Sequence, residues 1–354
     1  MAISNFFKKI KERRKRLKKV IELEHKVLDR LVELEYHIKN SYVEKRLEAR
    51  RCVLEKHFSQ ETILTIYMPT YNGEKWVAKA LESILMQETT YTYKILVIDD
   101  CSTDNTVKIV EEYQNLYPHI IDIEINKQNE GGKSMAPKIF NKVKTKYWMN
   151  FDQDDFWLSK DKMQRSLDFF EKHPDYTLCS ANVIVKASNK LSLSYQGAES
   201  SIKFEFKDYP YPLGILLQTS STMFRNVFTD EDLKHINSYV GTQKEYCILG
   251  DTFRNIFALS KGKGYYENSI DSVYNWTETG VWSSLNIGQQ HFYNLQYFYG
   301  SIDFFKDKFH SEHIKEIAKR LLKDTKINAH LLNKEELAEF NDIEKGLKSN
   351  ENTI

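Results

Sequence analysis

Cysteine is scarce in this chain, neither charge is in surplus, and no long apolar run is present. The four cysteines among 354 residues, Cys52, Cys101, Cys179 and Cys247, are widely spaced and form no CxxC pair. This sets aside a zinc site and a disulfide framework, and the expected compartment is a reducing cytoplasm. Fifty-one Lys and Arg against 50 Asp and Glu leave a formal net charge of +1. Nucleic acid is therefore not an expected partner, because phosphate binding needs a basic surplus. No window reaches the uninterrupted apolar length that spans a bilayer, and the charged first twenty residues hold no apolar signal region. The expectation is a soluble or peripherally attached protein with one α/β core plus extensions.

Residues 1–58 are helix-forming and almost free of Gly and Pro, with Ile10, Leu17, Val20, Val27, Leu31, Leu34 and Ile38 on steps of three, four or seven. That spacing is a heptad seam and predicts a homo-oligomer contact. The densely basic FFKKIKERRKRLKK offers Phe6, Phe7 and Ile10 for burial against an anionic membrane on its cytoplasmic face. The plainer alternative is a solvated helix packed on its own domain.

After Phe58, strand-like and helix-like stretches alternate: TILTIYM, a helix over 74–87, YKILVID, a helix over 105–117, IIDIEI, another helix, and KYWMNF. Strands separated in this way predict a mostly parallel, Rossmann-like sheet flanked by helices. Ligands in such sheets sit at the carboxyl ends of strands, which here hold PTYN, DDCSTD and DQDD. Beyond Lys186 a polar stretch, KASNKLSLSYQGAESS, reads as irregular, and a helix follows over 249–259. In the helical tail, Phe292, Tyr293, Tyr297, Phe298, Phe304, Phe305 and Phe309 read as a packing face.

Asp152-Gln153-Asp154-Asp155 places three carboxylates in four residues after one strand. Such crowding needs a cation or donors, and hard oxygen ligands suit Mg2+ or Mn2+. The alternative is an acidic turn before SKDKMQRSLDFF. Asp99 and Asp100 end the second strand, and Ser102, Thr103 and Asp104 suit a helix cap. Pro69-Thr70-Tyr71-Asn72-Gly73 reads alone as a turn.

Taken in order, TIYMPTYNGEKWVAKALESILMQ, ILVIDDCSTDNTVKIVEEY, NEGG and FDQDDFWLSKDKM resemble family 2 inverting glycosyltransferases of the GT-A fold, in the DQDDxW form of bacterial rhamnosyltransferase-like members. With the patterns above, the expected organisation is a helical extension over 1–58, a GT-A domain over 59–287 and a helical tail over 288–354. It implies nucleotide-sugar contacts from Pro69, Thr70, Tyr71, Asn72, Asn129, Gly131, Lys133, Asp152 and Gln153, with Asp99 or Asp100 on the base edge. Asp154 would be the first metal ligand, with Asp152 and Asp155 beside it. Asp251, in LGDTF before an apolar helix, fills the place of the catalytic base, with helix capping as its alternative role and Asp230, Glu231, Asp232 and Glu245 as weaker candidates.

Relatives often carry Tyr-Arg-x-His later in the chain. Here Tyr274-Asn275-Trp276-Thr277 lacks both basic residues, although TGVWSS follows, so Lys133 or a base from elsewhere must compensate the diphosphate. The implied partners are a nucleotide-sugar donor, UDP- or dTDP-linked, and a glycan or lipid-linked glycan acceptor. Rival readings are an inactive transferase-like domain on a coiled-coil scaffold and a sugar-nucleotide pyrophosphorylase. The latter wants a glycine-rich basic loop that PTYNGEKW does not supply.

Overall fold

Parallel strands connected through helices dominate the first half of the structure, a computed structural model that describes residues 61–349 apart from 188–189, 196–199, 211–216, 243–244, 278–279, 281 and 307–310. The described residues lie within one unit spanning 57–354. The heptad seam and basic segment of 1–58 fall outside them.

Strands β1 (Leu64–Thr70), β2 (Tyr93–Asp99), β3 (Ile121–Ile125) and β4 (Tyr147–Asn150) alternate with helices α1 (Val77–Leu85), α2 (Thr106–Leu116) and α3 (Gly131–Lys142). β1 lies between β2 and β4 and pairs in parallel with both. Its residues are nearly all buried, as expected where helices cover both faces of a sheet. α1 buries Val77, Ala80, Leu81, Ile84 and Leu85, spaced three and four apart. It is shorter than the predicted 74–87 because Glu74 and Lys75 form a turn and Trp76 has a non-helical backbone.

The chain continues through β5 (Phe156–Trp157), α4 (Lys162–Lys172), β6 (Tyr176–Ala187), β7 (Lys190–Leu193), β8 (Ile202–Phe204), β9 (Met223–Arg225), α5 (Asp230–Asn237), α6 (Gly250–Lys261) and β10 (Lys263–Trp276). The sheet order is β3-β2-β1-β4-β9-β6-β10-β5, with β7 on β6 and β8 on β10. β9 is antiparallel to both neighbours, so its beginning lies at the edge where β4 ends. Three residues are too few to show a period, which hides β9 from a reading of pattern. The stretch after Lys186 is also less irregular than expected. Lys190 and Ser192 alternate with more buried Leu191 and Leu193 in a hairpin strand against β6.

Helices α7 (Ile287–Phe304), α8 (Ser311–Ile327) and α9 (Lys334–Ser349) complete the chain. Phe292, Phe298, Phe304 and Phe305 are buried, while Tyr293 and Tyr297 are partly so. Phe304 meets Phe253 of α6 edge to face at 5.0 Å. The aromatic spacing is thus a packing face, and each buried ring contributes about 1.5–3 kcal/mol. Phe309 is outside the described residues.

Candidate active site

Three turns after β1, β2 and β4 meet at one edge of the sheet and brace each other. Thr70 donates to Asp99 Oδ2 at 2.8 Å, and Ser102 donates to Asp99 through its backbone (2.8 Å) and hydroxyl (2.6 Å). Asn72, with φ +46°, donates its N–H to Ser102 at 2.8 Å and accepts from Thr103 N–H at 2.8 Å. Gln153 grips the first turn twice, accepting from Tyr71 N–H (3.1 Å) and donating to Tyr71 C=O (2.9 Å). This grip requires Gly73, where an added Cβ would lie 2.0 Å from the Gln153 side chain.

Asp99 is 0% exposed and its carboxylate accepts three hydrogen bonds, so it braces the turn. Asp100 accepts from Asn126 (2.7 Å), Glu130 N–H (2.9 Å) and Gly131 N–H (2.7 Å), and these hydrogen bonds help hold its pKa below the ordinary value despite burial. It thereby fixes the start of α3, where Gly131 adopts φ +73° with open space at its Cβ position and Asn129 accepts from Gly131 N–H. Pro69 belongs to β1, and Tyr71 is exposed beside it. Lys133 lies in α3, and its side chain is outside the described set.

The turn after β4 is where carboxylates collect. Asp152 and Asp154 are half-buried, whereas Asp155 is sealed in and accepts from Ser220 Oγ (2.5 Å) and Asn275 N–H (3.0 Å). Asp155 therefore anchors this turn through both of its carboxylate oxygens. Burial, then the negative charges of Asp251 and Asp154, push Asp152 up to about 7, against the opposing pull of Arg254 and a hydrogen bond with Thr219. Burial also raises Asp154, opposed in part by a hydrogen bond with Thr277.

Asp251 comes to this cluster from the first turn of α6. The residue capping that helix is Leu249, so capping does not explain the carboxylate. Asp251 is half-exposed and forms an ion pair with Arg254 three residues on. Tyr274, at the end of β10, marks the convergence: its hydroxyl is raised by burial and then by the charges of Asp155, Asp152, Asp154 and Asp251. Of the weaker base candidates, Asp232 is engaged elsewhere. Asp232 closes a capping box with Thr229 and pairs with Lys261, and Asp230 and Glu231 share that helix start. Glu245 lies in the 3-10 turn before α6.

Two residues in this cluster escaped the sequence reading. Arg254 is 7% exposed and donates to Asp251 and, at 3.4 Å, to Thr219. The i, i+3 spacing of Asp251 and Arg254 was the available signal. Thr219 opens TSST, an unremarkable polar run whose role appears only when the chain entering β9 carries it to the end of β4 and alongside β6.

No preassembled group of three His, Cys, Asp or Glu ligands exists among the described residues. Asp152 and Asp154 still suit a divalent cation, because two desolvated hard-oxygen donors carry raised pKa values that a cation would reverse. No described helix is long and apolar enough to cross a membrane.

Known proteins resemble parts of this chain. Residues 65–231 match the model of glycosyl transferase family 2. The chain is 37% identical over 145 residues to the dTDP-rhamnosyl transferase RfbG of Shigella flexneri, covering 39% of this chain and 48% of that one. It is 31% identical over 111 residues to the poly(ribitol-phosphate) β-N-acetylglucosaminyltransferase TarS of Staphylococcus aureus, covering 31% and 19%. The matches thus span at most about half the length of these relatives, and about a third (34%) of an uncharacterised Mycobacterium tuberculosis protein that is 26% identical over 116 residues.

Among solved structures, residues 1–349 of S. aureus TarS with UDP-GlcNAc superpose with a TM-score of 0.52 at 16% identity, over 74% of this chain and 72% of that one. A mannosyltransferase of Pyrobaculum calidifontis with GDP-Man and Mn2+ gives 0.50 at 14% identity, over 79% and 85%. At these identities the superpositions speak for the fold. The motifs, the sheet order and the matched segment agree that this chain carries a glycosyl transferase family 2 domain on a GT-A fold.

Proposed function

We propose that the protein is an inverting glycosyltransferase that moves a sugar from a UDP- or dTDP-linked donor to a hydroxyl of a cell-surface polysaccharide or glycan. The observation that carries this reading is the meeting of Asp152 and Asp154, after β4, with Asp251, from a helix beyond the family-matched segment. The relatives add support for the donor class: one is a dTDP-rhamnosyl transferase, and another has been solved with UDP-GlcNAc.

In this reading Asp152 and Asp154 hold a Mn2+ or Mg2+ ion, which when bound neutralises charge on the leaving nucleotide diphosphate. Asp251 accepts the proton of the acceptor hydroxyl. A carboxylate is too weak a base to ionise an alcohol beforehand, so proton transfer accompanies attack on the anomeric carbon. The C–O bond to the acceptor forms as the bond to the diphosphate oxygen breaks from the opposite face, which inverts the centre. Much of the remaining acceleration comes from positioning. The braced turns after β1 and β2 supply a rigid donor cradle.

Asp251→Asn tests the assignment. The expected result is donor binding near wild type with transfer reduced about a hundredfold or more. Near-normal turnover in that variant would move the base elsewhere.

A further inference from the structure

The cluster leaves an electrostatic question open. Asp152, Asp154, Asp155 and Asp251 all act on Tyr274, and a nucleotide diphosphate would bring further negative charge beside them. The two positions where relatives carry bases do not compensate it. Asn275 serves Asp155 through its backbone N–H, and Thr277 hydrogen-bonds Asp154.

Arg254 has the free capacity. The residue is 7% exposed, and among the described residues only its Nη2 is engaged, on Asp251 and Thr219. Nε and Nη1 donate to no described residue, and neither is sealed off like the partnerless Trp148 Nε1 or Tyr266 hydroxyl. A largely buried guanidinium whose unused donors face open space has them available for an incoming acceptor. The donors lie in a planar fork that suits paired phosphate oxygens. Arg254 also acts on Asp152, so its charge lies on the donor side of the cluster as well as beside Asp251.

We propose that Arg254 is the diphosphate-binding cation of this site, reaching the donor's phosphates through Nε and Nη1 while Asp251 and Thr219 hold its Nη2. The proposal rests on the donor reading above and specifies how that donor is held. It explains how the site functions without the two basic residues missing around Tyr274.

Calorimetry of the full chain with Mg2+ tests it, using UDP, dTDP and GDP and the matching monophosphates. With the nucleotide that wild type prefers, Arg254→Gln should lower diphosphate affinity about tenfold to a hundredfold and leave the monophosphate nearly unchanged. Diphosphate affinity equal to wild type, or an equal fall for both ligands, overturns the assignment.

Removing Arg254 alone leaves Asp251 without its partner and risks the fold. The same comparison is therefore made between Asp251→Asn and Asp251→Asn/Arg254→Gln, where neither charge remains. The selective diphosphate loss should reappear in the double variant, and its absence there refutes the role of Arg254. A wild type that binds none of the diphosphates sinks the donor reading itself, which is a different outcome from a binding wild type with an indifferent Arg254→Gln.

Discussion

Asp152 and Asp154 differ from Asp155 in one respect that governs their chemistry: the first two reach open space, and the third is enclosed by Ser220 and Asn275. Asp154→Ala should therefore abolish metal-enhanced nucleotide binding while leaving the fold intact, measured by calorimetry with and without Mn2+. Unchanged metal dependence would remove Asp154 from the site.

Asp152 yields a pH prediction. Its pKa is pushed up to about 7 in the folded protein, while an unfolded aspartate titrates near 4. The folded state then holds the proton more tightly. The resulting stabilisation is complete below about pH 4 and is lost as pH rises through about 7. In chelator, Asp152→Asn should gain thermal stability relative to wild type between pH 5 and 8, and the metal-induced rise in Tm of wild type should grow over the same range. Parallel Tm curves for the two proteins would contradict the shift.

At this scale the sequence showed which residues are acidic and near strand ends. It could not show which were enclosed. The burial of Asp99 and Asp155 depends on Ser102, Ser220 and Asn275, two of them remote in sequence, and no local pattern encodes such partners.

Among the elements, the 219–222 segment has an importance out of proportion to its length. Ser220 accepts from Trp157 Nε1 through its carbonyl (2.7 Å) and donates to Asp155, and Ser221 C=O accepts from the buried Lys162 Nζ at 2.9 Å. Thr219 touches Asp152 and Arg254. One short turn thus fixes the carboxylate loop, the strand after it and the arginine of α6. Ser220→Ala removes a donor from an enclosed carboxylate and should destabilise the protein by about 1–3 kcal/mol. Denaturant unfolding checks this, and an unchanged midpoint would show that Asp155 is satisfied otherwise.

The alternating pattern from β1 to β4 was legible because each strand is a run of apolar residues followed by a polar turn, and each helix has its own period. β7 and β9 were not, since both are short and take their stability from pairing with β6 and β4. The link from Asp251 to Asp152 was suggested by resemblance, and physically it depends on α6 packing beneath the same sheet edge.

For the whole molecule, the heptad seam of residues 1–58 carries its own prediction. Deleting that segment should give an active enzyme with a smaller oligomer and weaker liposome association, since linked weak attachments bind more tightly than single ones. Light scattering and liposome sedimentation compare the two chains. Identical mass and lipid binding would leave a helix that packs on its own domain.

The hydrophobic interior has a further consequence. One cluster of buried side chains runs from Tyr67 and Ile98 beneath the donor turns, through Phe253 and Phe257 of α6, to Phe340 and Leu347 of α9. The family-matched segment stops at residue 231, well short of the last of these. Residues on both sides of that boundary build one interior, so a chimera that exchanges residues 232–349 for those of a relative inherits a foreign part of it. Such an exchange must bring compatible partners for Phe140 and Phe228, which pack on Phe253 and Phe257, before any new specificity can be observed.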